Sequence, residues 1–250
     1  METFHCGIPY FLSYYNLIHR LQLTASHVDD GSDPNPNLYP WTVMIKVGNK
    51  LACSGALITD RHVLAAAHLS SIKRAAPLKV NVAKVLVHEL YDQDSTENDI
   101  AIIRLERAIP VDTYIRPICQ PDPIDSYAGQ NGLDVEWVDK VELGLVLSEI
   151  RQLSLPILSN EQCQSSFGAG VIPDNLLCAG PPIEGAGAGA GVLFAGRKDR
   201  AARYNLVGLV SLRRRVSLKQ TISSPSVYTR VSTYHDWIQS NTYDGCQCEL

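Results

Sequence analysis

The sequence predicts an all-β protein, either a barrel or a sandwich. Three observations carry that expectation: short runs rich in β-branched and aromatic residues, turn residues that punctuate them, and helical signals confined to two places. In order along the chain, β-type runs occupy 41–47, 56–58, 80–87, 100–105, 143–158, 204–211 and 226–231. The first helix begins at Ser159, where Ser159-Asn160-Glu161-Gln162 forms a capping box. The second, Ser232-Thr233-Tyr234-His235-Asp236-Trp237-Ile238-Gln239, places Tyr234, Trp237 and Ile238 on one face and packs as a C-terminal helix. A Pro/Asp/Gly-rich stretch at 121–132 divides the chain, and each half has room for roughly six short strands.

With 250 residues, the chain suits two small domains or one two-lobed β protein, and either buries a sizeable core. A formal charge of -4 and 45% hydrophobic residues describe an ordinary globule, so global charge selects no partner class. Charge is uneven locally: Arg197, Lys198, Arg200, Arg203, Arg213, Arg214, Arg215 and Lys219 stand against one acid, Asp199. That loop, 197–219, is a candidate anion-binding element centred on Arg213, Arg214 and Arg215, although basic runs are more often solvated loops. It lacks the interleaved aromatics of nucleic-acid readers, so no nucleic-acid partner is expected. No run of about 18 apolar residues occurs, so no membrane span is expected. The start, Met1-Glu2-Thr3-Phe4-His5-Cys6-Gly7, has no basic n-region, and Pro9, Ser13 and Asn16 interrupt the apolar stretch after it, so no clear secretory signal is read.

Seven cysteines are too few for a disulfide scaffold, but their spacing suggests pairs. Cys163 and Cys178 bracket a short helix and loop; Cys6 with Cys119 would tie an N-terminal extension to the body. Cys246 and Cys248 sit together in a tail, and Cys53 is the best candidate for the odd thiol. The competing reading is that all seven are reduced.

Two segments resemble parts of a hydrolytic triad. Leu64-Ala65-Ala66-Ala67-His68 reads as a general base at the edge of an apolar strand, and Asn98-Asp99-Ile100-Ala101-Ile102-Ile103-Arg104-Leu105 as its orienting carboxylate. Where a nucleophile is expected, Gly185-Ala186-Gly187-Ala188-Gly189-Ala190-Gly191 offers no oxygen or sulfur. A flexible filler loop, costly to order, is the plainer reading of that run.

Taken in sequence, Tyr39-Pro40-Trp41, Cys53-Ser54-Gly55-Ala56-Leu57-Ile58, Val63-Leu64-Ala65-Ala66-Ala67-His68, Asn98-Asp99-Ile100-Ala101, Arg116-Pro117-Ile118-Cys119, Leu155-Pro156-Ile157-Leu158 and Val227-Tyr228-Thr229-Arg230-Val231 resemble the landmarks of the chymotrypsin/trypsin-like (S1) serine protease family. The resemblance implies two antiparallel six-stranded β-barrels with a C-terminal helix. On that reading 1–38 is an N-terminal extension, 39–240 the trypsin-like domain and 241–250 a tail. Barrel one takes about 39–120, barrel two about 133–231 and the helix about 232–240. His68 and Asp99 would come from the first barrel, facing a serine from the second.

Against the family pattern several parts are missing. Its Gly-Asp-Ser-Gly-Gly-Pro segment aligns with Gly187-Ala188-Gly189-Ala190-Gly191-Val192, so Gly189 replaces the serine and Ala188 the aspartate that receives the freed amino terminus. No basic residue followed by Ile/Val-Val-Gly-Gly lies upstream of Tyr39. In the substrate pocket, Ile183 stands about where a trypsin-type enzyme carries its aspartate, and Ser211-Leu212-Arg213 replaces Ser-Trp-Gly. Leu69 and Gly185 replace cysteines, which leaves Cys53 as a free buried thiol behind the histidine rather than in the cleft. The short interval between His68 and Asp99, and Glu136-Trp137-Val138-Asp139 in place of Gly-Trp-Gly, predict an incomplete first barrel and open strand edges.

These readings converge on a non-catalytic, extracellular serine protease homologue that needs no cofactor or metal and works by binding proteins, either active proteases or their substrates. The resemblance implies an adaptor, cofactor or decoy role, including in invertebrate defence cascades. Two alternatives remain: an active serine endopeptidase whose nucleophile segment is misread or mispredicted, and an anionic-glycan-binding module using the basic loop.

Overall fold

The computed structural model of the chain describes residues 38–47, 50–69, 74–76, 80–95, 97–111, 115–142, 145–167, 172–180, 191–196, 204–211 and 225–248. Twelve described strands form two antiparallel sheets. The first holds β1 (Thr42–Val47), β2 (Lys50–Leu57), β3 (His62–Ala65), β4 (Arg74–Ala76), β5 (Val80–Val87) and β6 (Ala101–Leu105). The second holds β7 (Asn131–Glu142), β8 (Leu145–Pro156), β9 (Leu176–Ala179), β10 (Val192–Gly196), β11 (Tyr204–Val210) and β12 (Ser226–Arg230). Between β8 and β9 lies α1 (Asn160–Phe167); after β12 a 3-10 turn, Val231–Tyr234, leads into α2 (His235–Asn241).

The first sheet closes into a barrel in the order β1-β2-β3-β6-β5-β4, which corrects the expectation of an incomplete first barrel. The strand that closes it is β4, whose three residues pair with β1 through Ile45↔Ala75 and with β5 through Ala75↔Val80. So short a strand carries no periodic signal, and the compact interval before Asp99 leaves all six strands in place. The second sheet runs β8-β7-β10-β11-β12-β9. Its two ends meet at one antiparallel bridge, Ile157↔Ala179. Flanking backbone bonds, Leu158 N to Cys178 O at 2.9 Å and Gly180 N to Pro156 O at 3.0 Å, brace that seam.

Where the sequence suggested one strand over 143–158, the chain forms a hairpin of β7 and β8, paired from Asn131↔Pro156 to Glu142↔Leu145. The acids of β7 hid the first arm of that hairpin. Asp134 and Glu136 are both buried, and tertiary partners make this tolerable: the Tyr228 hydroxyl donates to Asp134 Oδ2 at 2.7 Å, and Arg151 lies 3.5 Å from Glu136. A polar strand is therefore stabilised from outside its own sequence.

The largest apolar core cluster draws on both sheets. Trp41 and Phe194, each fully buried, meet edge to face with centroids 5.5 Å apart, and the Ser54 hydroxyl accepts from Trp137 N at 2.7 Å. From the C-terminal helical segment Tyr234 and Ile238 are buried in this cluster, while Trp237 is partly buried against it and donates to Glu89 at 3.0 Å. The helix therefore packs with the face read from the sequence. The capping box of α1 is reciprocal: Gln162 Oε1 accepts from Ser159 N at 2.9 Å, and Ser159 Oγ accepts from Gln162 N at 3.3 Å.

Of the expected disulfides, Cys163–Cys178 is present. Cys119, however, pairs with Cys248 rather than with Cys6, which lies outside the described residues. The tail explains the exchange. Asp244 takes two hydrogen bonds from Arg104 at 2.7 and 3.1 Å, Cys246 N donates to Asp60 at 2.9 Å, and Thr59 bridges Gln247. These contacts deliver Cys248 to Cys119. Cys53 is free and buried, and Cys246 is free and exposed.

Candidate active site

His68 sits on the short 3-10 turn Ala67–Leu69, just after β3, and Asp99 just before β6. Pairing of β3 with β6 ends at Ala65↔Ala101, so the two side chains leave the same edge of the barrel together. Asn98, with φ of 54°, turns the chain into position, and its short polar side chain tolerates that left-handed conformation. Its Oδ1 accepts from the Tyr234 hydroxyl at 2.9 Å.

The Asp99 side chain is fully buried and gathers donors from both sheets. Its Oδ1 accepts from His68 N at 2.8 Å; its Oδ2 lies 2.7 Å from His68 Nδ1 and accepts from Ser211 Oγ at 3.0 Å. The Asp99 carbonyl accepts from Thr229 Oγ1 at 2.9 Å. These contacts hold the His68 ring with Nδ1 against the carboxylate and Nε2 turned away from it. The His68 side chain is 28% exposed. The arrangement orients an imidazole by a buried carboxylate while leaving it access to solvent.

Among the sequence candidates, the structure thus brings together His68, Asp99 and Ser211. Ser211, a substrate-pocket candidate in the sequence, donates its buried hydroxyl to Asp99. Thr229, Asn98 and Tyr234 support the pair and were missed as site residues; nothing local in the sequence relates position 229 to position 99. Ile183, Gly189, Leu212, Arg213, Arg214 and Arg215 lie outside the described residues. Gly191, the last residue of the glycine-alanine run, is described: a Cβ there would meet Asp134 Oδ1, so a larger residue requires that carboxylate, held by the Tyr228 hydroxyl, to move. Cys53 belongs to the apolar core, and burial pushes its thiol up to about 12, which removes it as a substitute nucleophile. Among the described residues no group of three or more His, Cys, Asp or Glu side chains could hold a metal ion, and no helix is long and apolar enough to cross a membrane.

Two sheets with a histidine–aspartate pair between them define the class. The family model described as Trypsin matches residues 28–238, and the chain belongs to that family. Over 88% of its length it is 30% identical to "Phenoloxidase-activating factor 1" of Holotrichia diomphalia, covering 71% of that protein. It is 28% identical to "Serine protease filzig" of Drosophila melanogaster and to "Serine protease 56" of Homo sapiens, with 89% and 87% of this chain aligned. Of those two relatives it spans 15% and 39%.

Proposed function

We propose that this chain is a non-catalytic member of the trypsin family that acts by binding proteins, as an adaptor, cofactor or decoy in an extracellular protease cascade. One observation carries the reading. Between Gly180, held beside the Cys163–Cys178 disulfide and β9, and Val192, where β10 begins, the chain reads Pro-Pro-Ile-Glu-Gly-Ala-Gly-Ala-Gly-Ala-Gly. It contains no hydroxyl and no thiol. The segment that should present a nucleophile to His68 has none, and the nearest hydroxyl partner of the pair, Ser211, is already bound to Asp99. Without a nucleophile no acyl-enzyme forms, and loss of the serine in a comparable triad costs roughly a millionfold in turnover.

The cascade role rests on the name of a relative, a phenoloxidase-activating factor, and on the family's fold; the extracellular setting rests on the disulfides. His68 and Asp99 are then relics of a triad that still brace the cleft. The test is reconstitution: an active trypsin-family protease and its zymogen substrate are mixed with and without the purified chain. A concentration-dependent change in zymogen cleavage, with no hydrolysis by the chain alone, is the expected result. Hydrolysis by the chain alone would sink the reading.

A further inference from the structure

The second sheet has an uncovered edge. β8 is its terminal strand, and among the described residues the sheet's two ends meet only past β8 itself, at Ile157↔Ala179. Main-chain groups alternate sides along an antiparallel strand. Those of Ile157 turn inward, its N–H donating to Gln130 O at 2.8 Å and its carbonyl accepting from Gly129 N at 2.9 Å. Pro156 and Leu158 turn theirs outward, to Gly180 and Cys178. By the same alternation, in a register unbroken from Asn131↔Pro156 to Glu142↔Leu145, the even-numbered residues of β8 turn theirs outward. Trp137 agrees: it pairs with Ile150, and its N–H goes to Ser54 rather than to β8. Among the described residues no strand pairs with the outward groups of Ile150, Gln152 and Ser154. The hairpin is also thin there, because β10 follows β7 only as far as Val192↔Val135. A two-stranded ribbon is marginal alone, and an open edge is a template for another strand.

The sequence of this edge is complementary to itself. β8 reads Leu145-Val146-Leu147-Ser148-Glu149-Ile150-Arg151-Gln152-Leu153-Ser154-Leu155-Pro156. A two-fold axis at Ile150 pairs two copies antiparallel, with Ile150 opposite Ile150 and Ser148 opposite Gln152, all outward-turned positions able to exchange hydrogen bonds. The same register sets Glu149 opposite Arg151 on both sides of the axis, and Leu147 opposite Leu153. Those odd-numbered positions form the non-hydrogen-bonded pairs, in which facing side chains come closest. Moving the axis to residue 149 opposes two glutamates, and moving it to residue 151 opposes two arginines, so charge selects one register. Arg151 lies 3.5 Å from Glu136 of its own hairpin, yet its side chain is 32% exposed and has room for a second carboxylate.

We propose that β8 docks on β8 of a second copy of this chain, antiparallel about Ile150, with Glu149 and Arg151 setting the register. Two hairpins then form one four-stranded ribbon across a two-fold axis. The dimer is independent of the non-catalytic reading, since neither His68 nor residues 181–190 take part in it.

The experiment is sedimentation equilibrium of the whole protein, its accessible thiols first alkylated so that no disulfide joins copies. The weight-average mass is expected to rise from monomer towards dimer between about 1 and about 100 μM. Glu149→Arg sets arginine against arginine and Arg151→Glu sets glutamate against glutamate, so each should weaken association at least about 10-fold. Mixed in equal amounts, the two variants should associate about as tightly as the parent, because both cross-axis pairs are again of opposite charge. Ser148→Pro removes an outward N–H and none directed at β7, and should also weaken association at least about 10-fold; it decides the matter if Arg151→Glu fails to fold. A parent that stays monomeric at about 100 μM, unchanged association of Glu149→Arg or Ser148→Pro, or a mixture no tighter than its components would each overturn the proposal.

Discussion

Asp99 has a structural role whether or not any chemistry remains, because one buried carboxylate satisfies His68 N, His68 Nδ1 and Ser211 Oγ. Asp99→Ala should cost about 1–3 kcal/mol for each buried donor it strands, read as a lowered urea midpoint; an unchanged midpoint would show that the carboxylate braces nothing. Gly191→Ala drives a methyl group against Asp134 Oδ1 and should destabilise by about 1–3 kcal/mol in thermal unfolding. Thiol reactivity should separate two cysteines: in native protein iodoacetamide is expected to modify exposed Cys246 and leave Cys53 untouched until the protein is denatured. Peptide mapping by mass spectrometry checks this, and native labelling of Cys53 would contradict its buried placement. At this scale the sequence was readable where a motif stood whole, as around His68 and Asp99. It was unreadable where the role depends on a distant partner, as for Ser211, whose hydroxyl meets a residue from the other sheet.

Elements show the same division. The capping box at Ser159 was visible because its signal is local, and Ser159→Ala should cost about 1 kcal/mol of stability by chemical denaturation. The hairpin of β7 and β8 was half hidden, since Asp134 and Glu136 look unlike strand residues until Tyr228 and Arg151 are placed beside them. The C-terminal tail looked like a loose end and is instead a latch. Asp244 binds Arg104, lies 3.6 Å from Arg61, and faces His62 Nε2 at 3.2 Å; His62 in turn lies 2.8 Å from Thr59 Oγ1.

The latch should weaken in acid. Hydrogen bonding from Arg104 holds Asp244 below its ordinary value of 3.8, and burial holds His62 below 6.5. In both cases the unfolded chain binds the proton more readily, so stability is present above the unfolded value and is lost as pH falls below it. The His62 contribution should decline below about pH 6.5 and that of Asp244 below about pH 4. Asp244→Asn should therefore lower the urea midpoint at neutral pH, and its difference from the parent should shrink progressively as pH falls below about 4. A difference independent of pH would mean that the carboxylate charge is not what holds the tail.

Taken whole, the molecule keeps the family's frame. Trp41 and Phe194 lock the two sheets together, the barrel around His68 closes, and the histidine–aspartate pair has ordered geometry. The fold was legible because the family's landmarks occur in order across the chain. Barrel closure was not, because it depends on Arg74-Ala75-Ala76, three residues with no pattern of their own. The pairing of Cys119 with Cys248 was also hidden, since only the folded tail brings Cys248 within reach.

The most direct test of the central claim is intact-mass analysis of the purified chain after saturating treatment with a fluorophosphonate, run beside an assay of peptide-ester hydrolysis. On the proposal that Gly189 stands where the nucleophile would, the account predicts no added mass and no hydrolysis above buffer. Stoichiometric labelling accompanied by turnover would contradict it.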